Sequence, residues 1–213
     1  MRLLPALIHF VKYTSSIKGI DESHSIGHAM NVLHYSQAII NSTYHEYPYL
    51  RDQESVIYTS ALLHDMVDQK YTNQKEALNK INTYLCHRMK PIEIETIKHI
   101  ITTMSYSYVK KEGFPLLGKY QMAYHVVREA DLLAAYDFDR AIIYRMYHSS
   151  DDFIGAFENS RELFETRMFR HDEDGLFITN YSKETSKKLA IKSREQIDSW
   201  KKVIDSYNKY NPI

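Results

Sequence analysis

Apolar residues recur along most of the chain at spacings of three and four, which is the period of an amphipathic α-helix. In one segment the apolar positions at this spacing are Ile26, Met30, Leu33 and Ile40. The pattern predicts helices over residues 3–16, 24–41, 52–65, 73–89, from 91 onward, 119–136, 140–148, 151–170 and 182–207. No segment shows the strict alternation of a half-buried strand. We therefore expect an all-α fold, a helical bundle.

Gly and Pro residues mark the breaks between these helices. The stretch 106–118 contains Gly113, Pro115 and Gly118, and we predict a loop there. Asp21 and Ser23 offer side-chain oxygens that can cap the second helix. No Gly-, Ser- or Pro-rich linker divides the chain. We predict one domain over residues 1–213, with a core over about 20–150 and a helical extension over 151–213.

The charge and cysteine content narrow the class of protein. Lys plus Arg and Asp plus Glu both number 27, so the formal net charge is zero, which argues against non-specific binding to nucleic acid or membrane. The apolar run 3–11 is too short to span a bilayer and lacks a small-residue cleavage site, so we expect a helix there. The single Cys86 cannot form an internal disulfide and fits a reducing compartment. We expect a cytoplasmic protein.

A histidine and an aspartate stand together at the end of the apolar run 56–63, as His64 and Asp65. Burying a carboxylate without a partner costs several kcal/mol, and a bound metal would remove that cost. His28 and Asp131 each lie in an apolar segment of their own. Imidazole and carboxylate groups are ligands that divalent cations use, so these four residues are candidate ligands of one ion.

Each of these residues also has an ordinary structural explanation. His64 and Asp65 alone could be a hydrogen-bonded helix end. Asp131 could pair with Arg128, three residues before it. Asp68 and Lys70 could form a charge pair at a solvated helix end.

Four stretches of the sequence together resemble the HD-domain superfamily of metal-dependent phosphohydrolases, and in particular its small single-domain bacterial hydrolases. They are DESH and HAMNV within 21–32, LHDMVDQKY at 63–71, IITTMSYS at 100–107 and EAD at 129–131. The second is similar to the family's H-D-x-x-D-x-K segment, and the resemblance covers about residues 20–150.

The resemblance implies a role for each matching residue. His28, His64, Asp65 and Asp131 would hold the metal, with His64 and Asp65 central to catalysis. Asp68 would orient or deprotonate the attacking water. Lys70 would contact a substrate phosphate as a point charge, and His24, one helical turn before His28, would contact the substrate or leaving group.

The sequence departs from the family pattern after Asp131. The family usually continues with a basic residue, Leu, Asp and a glycine-containing stretch, whereas this chain continues LLAAYDFDR. Arg140 and Arg145 are candidates for the missing phosphate contacts. Three further histidines, at 87, 99 and 125, do not form a clear second-ligand pattern, and we expect surface or core roles for them.

The resemblance points first to cleavage of a nucleoside triphosphate into monophosphate and pyrophosphate, with one divalent cation (Mn, Fe, Co, Ni, Zn or Mg) as cofactor. A nucleoside 5′-monophosphatase, an alarmone or cyclic-nucleotide hydrolase, and a two-iron oxygenase are alternatives. A non-catalytic nucleotide-sensing or interaction module is another. The expected partner is a small nucleotide, with no specific nucleic-acid binding and no membrane, and a homo-oligomer stays open.

Overall fold

The computed structural model describes residues 3–149 and 152–210, and within them the chain is α-helical without strands. This confirms the predicted all-α class. The α-helices are α1 (Leu3–Lys18), α2 (Ile26–Thr43), α3 (Glu54–Leu63), α4 (Gln74–Leu85), α5 (Pro91–Thr103), α6 (Tyr106–Glu112), α7 (Gln121–Ala134), α8 (Phe138–His148), α9 (Phe153–Thr166) and α10 (Asn180–Tyr210). Short 3₁₀ turns cover Glu22–His24, Pro48–Gln53, His64–Val67, Gly118–Tyr120 and Met168–Arg170.

The backbone divides into two compact units, with the boundary between Ala134 and Ala135. The first unit holds α1–α7, and the second holds α8–α10. The prediction of one domain whose core ends near residue 150 stays a prediction.

The first unit is built around α3. Seven of its ten residues are buried, because the helix packs against α1, α2, α5 and α7. Helix α2 lies against α7 through a buried stripe that includes His28 and Val32, at the four-residue spacing of one helix face. An apolar framework of this kind holds the polar residues on α2 and α7 in fixed positions.

The second unit has an aromatic core. Phe138 is fully buried, with its ring edge-on to Phe157 at 5.7 Å and to Phe164 at 5.1 Å between centroids. The Tyr136 hydroxyl donates to the Met168 carbonyl at 2.8 Å, and Ser193 of α10 donates to the Tyr136 carbonyl at 2.6 Å. These bonds satisfy backbone carbonyls that would otherwise be buried without a partner.

The predicted loop over 106–118 is wrong in its first half, which forms α6. Ser105 caps this helix by accepting a hydrogen bond from the Tyr108 backbone N–H at 3.2 Å. Gly113 ends it at φ +76°, a conformation that glycine adopts without a steric penalty. Gly113 therefore marks the end of a short helix, and the irregular segment between α6 and the next 3₁₀ turn is only residues 113–117.

Other predicted helix ends shift by a few residues. Helix α3 stops at Leu63, two residues before the predicted end, and the chain continues as the tighter turn His64–Val67. Asp21 caps the turn Glu22–His24 rather than α2, by accepting from the Ser23 backbone N–H at 2.8 Å. The predicted start of the helix at Asp151 lies outside the described residues.

No helix in the described part of the chain combines the length and the apolar character that crossing a membrane requires.

Candidate metal centre

Three elements of the first unit bring the four candidate ligands to one place. His28 lies in the first turn of α2, and Asp131 lies near the end of α7, which packs against α2. His64 and Asp65 open the turn that follows α3. The cluster thus joins positions that are 36 and 103 residues apart in the chain.

The Nε2 atoms of the two histidines lie close to each other and to one oxygen of each aspartate. His28 Nε2 is 3.1 Å from Asp131 Oδ1, 3.2 Å from His64 Nε2 and 3.6 Å from Asp65 Oδ2. His64 Nε2 is 3.3 Å from Asp65 Oδ2 and 3.5 Å from Asp131 Oδ1. Ligands that each lie about 2.0–2.2 Å from one ion are separated from their neighbours by distances of this size.

A backbone hydrogen bond orients the His64 ring for this role. His64 Nδ1 lies 2.8 Å from the Ala61 carbonyl oxygen, which can only accept, so Nδ1 carries the proton. In the neutral ring the lone pair is then on Nε2, the atom that faces the cluster. Metal-binding histidines are commonly fixed by a carbonyl or carboxylate at the other nitrogen in this way.

One oxygen of Asp65 is buried between the two histidines. Asp65 Oδ2 is buried, and no group in the described chain forms a hydrogen bond of normal geometry to it. It lies between the Nε2 atoms of His28 and His64. A buried carboxylate oxygen without a donor is unfavourable unless a positive charge stands beside it.

The pKa values of the cluster are shifted by its own charges. Burial alone would lower the pKa of His64, but Asp65 and Asp131 outweigh it and hold that pKa well above 6.5. Burial would raise the pKa of both carboxyl groups, and the two histidines lower it well below its usual range. In the absence of metal, protonated imidazole balances the two carboxylates; a cation and a proton therefore compete for this place.

These observations fit a metal ion held by His28, His64, Asp65 and Asp131. Two imidazole nitrogens and two carboxylate oxygens converge, the histidines are buried, and the carboxylate side chains are 14% and 27% exposed. The cluster can bind a divalent cation, and nitrogen and oxygen ligands together suit several of them.

A cleft of about 580 Å³ opens beside the cluster. His64, Asp65 and Asp131 line it, and so do Asp68 and Lys70. The remaining polar lining residues are Gln69, Gln74, Thr102, Ser105, Ser107 and Tyr108. The resemblance included Ser105 and Ser107 without assigning them a role.

Asp68 and Lys70 form a local pair at the mouth of this cleft. Asp68 Oδ1 accepts a hydrogen bond from the Lys70 backbone N–H at 2.9 Å, and Oδ2 lies 3.7 Å from Lys70 Nζ. Their side chains are 26% and 52% exposed. The structure thus contains the Asp68–Lys70 charge pair that an ordinary structural role predicts, and both residues also line the cleft.

His24 is held by a hydrogen-bond network that the sequence did not reveal. Its Nδ1 lies 2.7 Å from the hydroxyl of Ser23, and the hydroxyls of Ser23 and Tyr71 both donate to the Asp21 carboxylate. Tyr71 is 50 residues from Asp21. Only the fold brings them together, although DESH and the final Tyr of LHDMVDQKY were both part of the motif.

The other arginines and histidines considered in the sequence take no part in the four-residue cluster. Arg140 and Arg145 are on α8 in the second unit, and their predicted phosphate contacts stay a prediction. Arg128 is buried with Nη2 3.4 Å from Glu129 Oε1, while Asp131 faces the histidines. His87 and His99 are exposed, and His125 is buried beside Phe114.

Two solved structures share this fold. One is a Lactobacillus plantarum protein from a structural genomics programme, with a TM-score of 0.67 and 17% identity over 95% of this chain and 97% of that chain. The other is Bacillus subtilis YpgQ in complex with ADP, with a TM-score of 0.58 and 17% identity over 98% of each chain. No family model and no curated protein matches the sequence.

Proposed function

We propose that this protein is a metal-dependent phosphohydrolase that cleaves a nucleoside triphosphate into monophosphate and pyrophosphate. The observation that carries the proposal is the convergence of His28, His64, Asp65 and Asp131 at one edge of a cleft that also contains Asp68 and Lys70. The resemblance to HD-domain phosphohydrolases supports it. A nucleotide as substrate is further supported by the complex of YpgQ with ADP.

The four ligands are suited to a cation that keeps positions open for water and substrate. A bound divalent ion lowers the pKa of a coordinated water and neutralises negative charge on phosphoryl oxygens. His64 keeps its orientation through the Ala61 carbonyl, so the ligand set needs little rearrangement. Mn, Fe, Co, Ni, Zn and Mg are all candidates.

In this proposal Asp68 directs the attacking water. Its Oδ1 accepts from the Lys70 backbone N–H, and its Oδ2, which lies 3.7 Å from Lys70 Nζ, would accept a proton as water attacks phosphorus. In the proposed reaction the oxygen of water bonds to the α-phosphorus and the bond from that phosphorus to the bridging oxygen breaks. The electron pair of that bond leaves with pyrophosphate.

Lys70 supplies positive charge next to Asp68 in the lining of the cleft. Its ammonium group is compact and its side chain is half-exposed, which suits a contact with a phosphate oxygen. Because the pyrophosphate group gains negative charge as it leaves, a cation beside it stabilises the transition state more than the ground state.

A product assay tests the proposal. We expect purified protein, supplied with nucleoside mono-, di- and triphosphates and each divalent metal in turn, to release pyrophosphate and monophosphate from a triphosphate. His64→Ala should lose both metal binding and turnover. His99→Ala, which removes an exposed histidine on α5, is the matched control and should keep both.

Other products would contradict the proposal in distinguishable ways. Orthophosphate released from a monophosphate would indicate a 5′-monophosphatase. Full activity in His64→Ala would exclude the mechanism. Protein that binds neither metal nor turns over any nucleotide would indicate a non-catalytic module.

A further inference from the structure

A second group of potential ligands lies beside the first. One ligand atom each of His24, Asp65 and Asp68 lies within 4.8 Å of the other two. Asp65 belongs to both groups, and a carboxylate has two oxygens with which to bridge two cations. His24 and Asp68 take no part in the first cluster.

The hydrogen bonds around His24 fix which of its nitrogens carries the proton. The Ser23 hydroxyl has one hydrogen, and it donates this to the Asp21 carboxylate, which can only accept. Ser23 Oγ must therefore accept from His24 Nδ1, which lies 2.7 Å away. The neutral His24 ring then has its lone pair on Nε2, the form in which an imidazole binds a metal.

The hydrogen bonds that support His24 Nδ1 extend to Asp21 and Tyr71. Ser23 is buried, and the Tyr71 hydroxyl donates to the second oxygen of Asp21. A histidine whose other nitrogen is fixed by a chain leading to a carboxylate is the pattern seen around metal ligands. His64 has the corresponding support from the Ala61 carbonyl.

The charges of the group also favour a cation. One oxygen each of Asp65 and Asp68 lie within 4.8 Å of each other, so two carboxylates stand close together. Lys70 Nζ stands 3.7 Å from Asp68 Oδ2 and relieves part of this repulsion from one side. It lies at the more exposed end of the group and competes with a second cation there.

We propose that His24, Asp65 and Asp68 hold a second divalent cation, with Asp65 shared between the two sites. One nitrogen and two carboxylate oxygens make this site richer in oxygen than the first, which suits Mn²⁺ or Mg²⁺. It binds more weakly than the first site, because it has three protein ligands, is partly exposed and faces Lys70.

Two neighbouring cations would form a clamp for phosphate oxygens. This use of the site rests on the proposed function, since two-metal centres stabilise both the attacking and the leaving oxygen in phosphoryl transfer. The existence of the site rests on the geometry alone.

Metal stoichiometry tests the site without turnover. Metal-free protein is titrated with Mn²⁺ and followed by calorimetry and electron paramagnetic resonance. We expect two Mn²⁺ per chain in the wild type, the second at least tenfold weaker, with a spin-coupled signal at saturation. Asp68→Asn and His24→Ala should each bind one Mn²⁺ at the unchanged tighter affinity and lose the coupled signal. His99→Ala should behave as the wild type.

The outcomes separate this inference from the proposed function. One Mn²⁺ per chain at saturation in the wild type, or two in Asp68→Asn, overturns the second site. Asp68→Asn keeps the shape of the side chain, so it gives an answer even if His24→Ala does not fold. Nucleotide hydrolysis with one Mn²⁺ per chain would refute only the second site, and two Mn²⁺ without hydrolysis of any nucleotide would refute only the proposed function.

Discussion

His125 makes the stability of the first unit depend on pH in a specific way. This histidine is buried on α7, six residues before Asp131, with the Phe114 ring edge-on at 5.0 Å between centroids. The Gln121 side-chain oxygen accepts from the Leu117 backbone N–H at 3.0 Å, so the amide nitrogen of Gln121 faces His125 Nε2 at 3.2 Å. His125 Nε2 is therefore an acceptor, and protonation would replace this hydrogen bond with a repulsive contact.

The magnitude follows from the pKa of His125. Burial, with a smaller contribution from the charge of Arg128, lowers it from 6.5 to about 4. Because the folded protein holds the neutral form, the unfolded chain binds a proton first as the pH falls. The stabilisation is complete above pH 6.5 and is lost as the pH falls toward 4. At about 1.4 kcal/mol per pKa unit, the full loss is roughly 3 kcal/mol, of which about 2 kcal/mol is already lost at pH 5.

Urea unfolding of the wild type and His125→Leu at pH 7.5 and pH 5 measures this loss. Leucine cannot titrate, and it gives up the hydrogen bond from Gln121, so the variant should be about 1 kcal/mol less stable at pH 7.5. Between the two pH values the wild type should lose about 2 kcal/mol more than the variant, because every other titrating group is common to both. Circular dichroism follows the helices.

Equal losses in the two proteins would refute the reasoning. An NMR titration of the wild type gives a second measurement that does not depend on the variant. A His125 resonance that titrates near 6.5 would show that the ring is hydrated rather than buried against Phe114 and Arg128.

Three further predictions concern the site and the second unit. Lys70→Gln should raise the KM for the nucleotide by roughly tenfold or more, through loss of a charge-assisted phosphate contact, with the fold unchanged by circular dichroism. Chelating the metal should lower the thermal midpoint of the wild type, because a ligand that binds only the folded state stabilises it, and His64→Ala should not respond to the chelator. Phe138→Ala should destabilise the second unit by roughly 3–5 kcal/mol in urea unfolding, since it opens a cavity against Phe157 and Phe164; a loss below 1 kcal/mol would contradict this packing.

Local patterns of sequence predicted most of the helices but misplaced several of their ends. In α4 the buried residues Ala77, Ile81 and Leu85 follow the expected four-residue steps. In α2 the predicted apolar face is wrong, because Met30 is 40% exposed and the buried face runs through His28 and Val32 instead. Apolar spacing does not report where an α-helix tightens into a 3₁₀ turn, as α3 does at His64. The reason is that an α-helical turn and a 3₁₀ turn bury nearly the same residues. Helix α6 was not predicted, although the sequence contains its N-cap residue, Ser105, and the glycine that ends it, Gly113.

The sequence by itself determined the all-α class and the chemical types of the candidate ligands, because periodicity and side-chain chemistry are local properties. Only the tertiary structure decided that His28 and His64 lie within 3.1–3.6 Å of each other and of both Asp65 and Asp131, and that Tyr71 supports Asp21 beside His24. Apart from the adjacent His64 and Asp65, these contacts join residues 36 to 103 positions apart, and they depend on how α2, α3 and α7 pack. Packing is set by the complementary apolar faces of whole helices, which no single motif encodes.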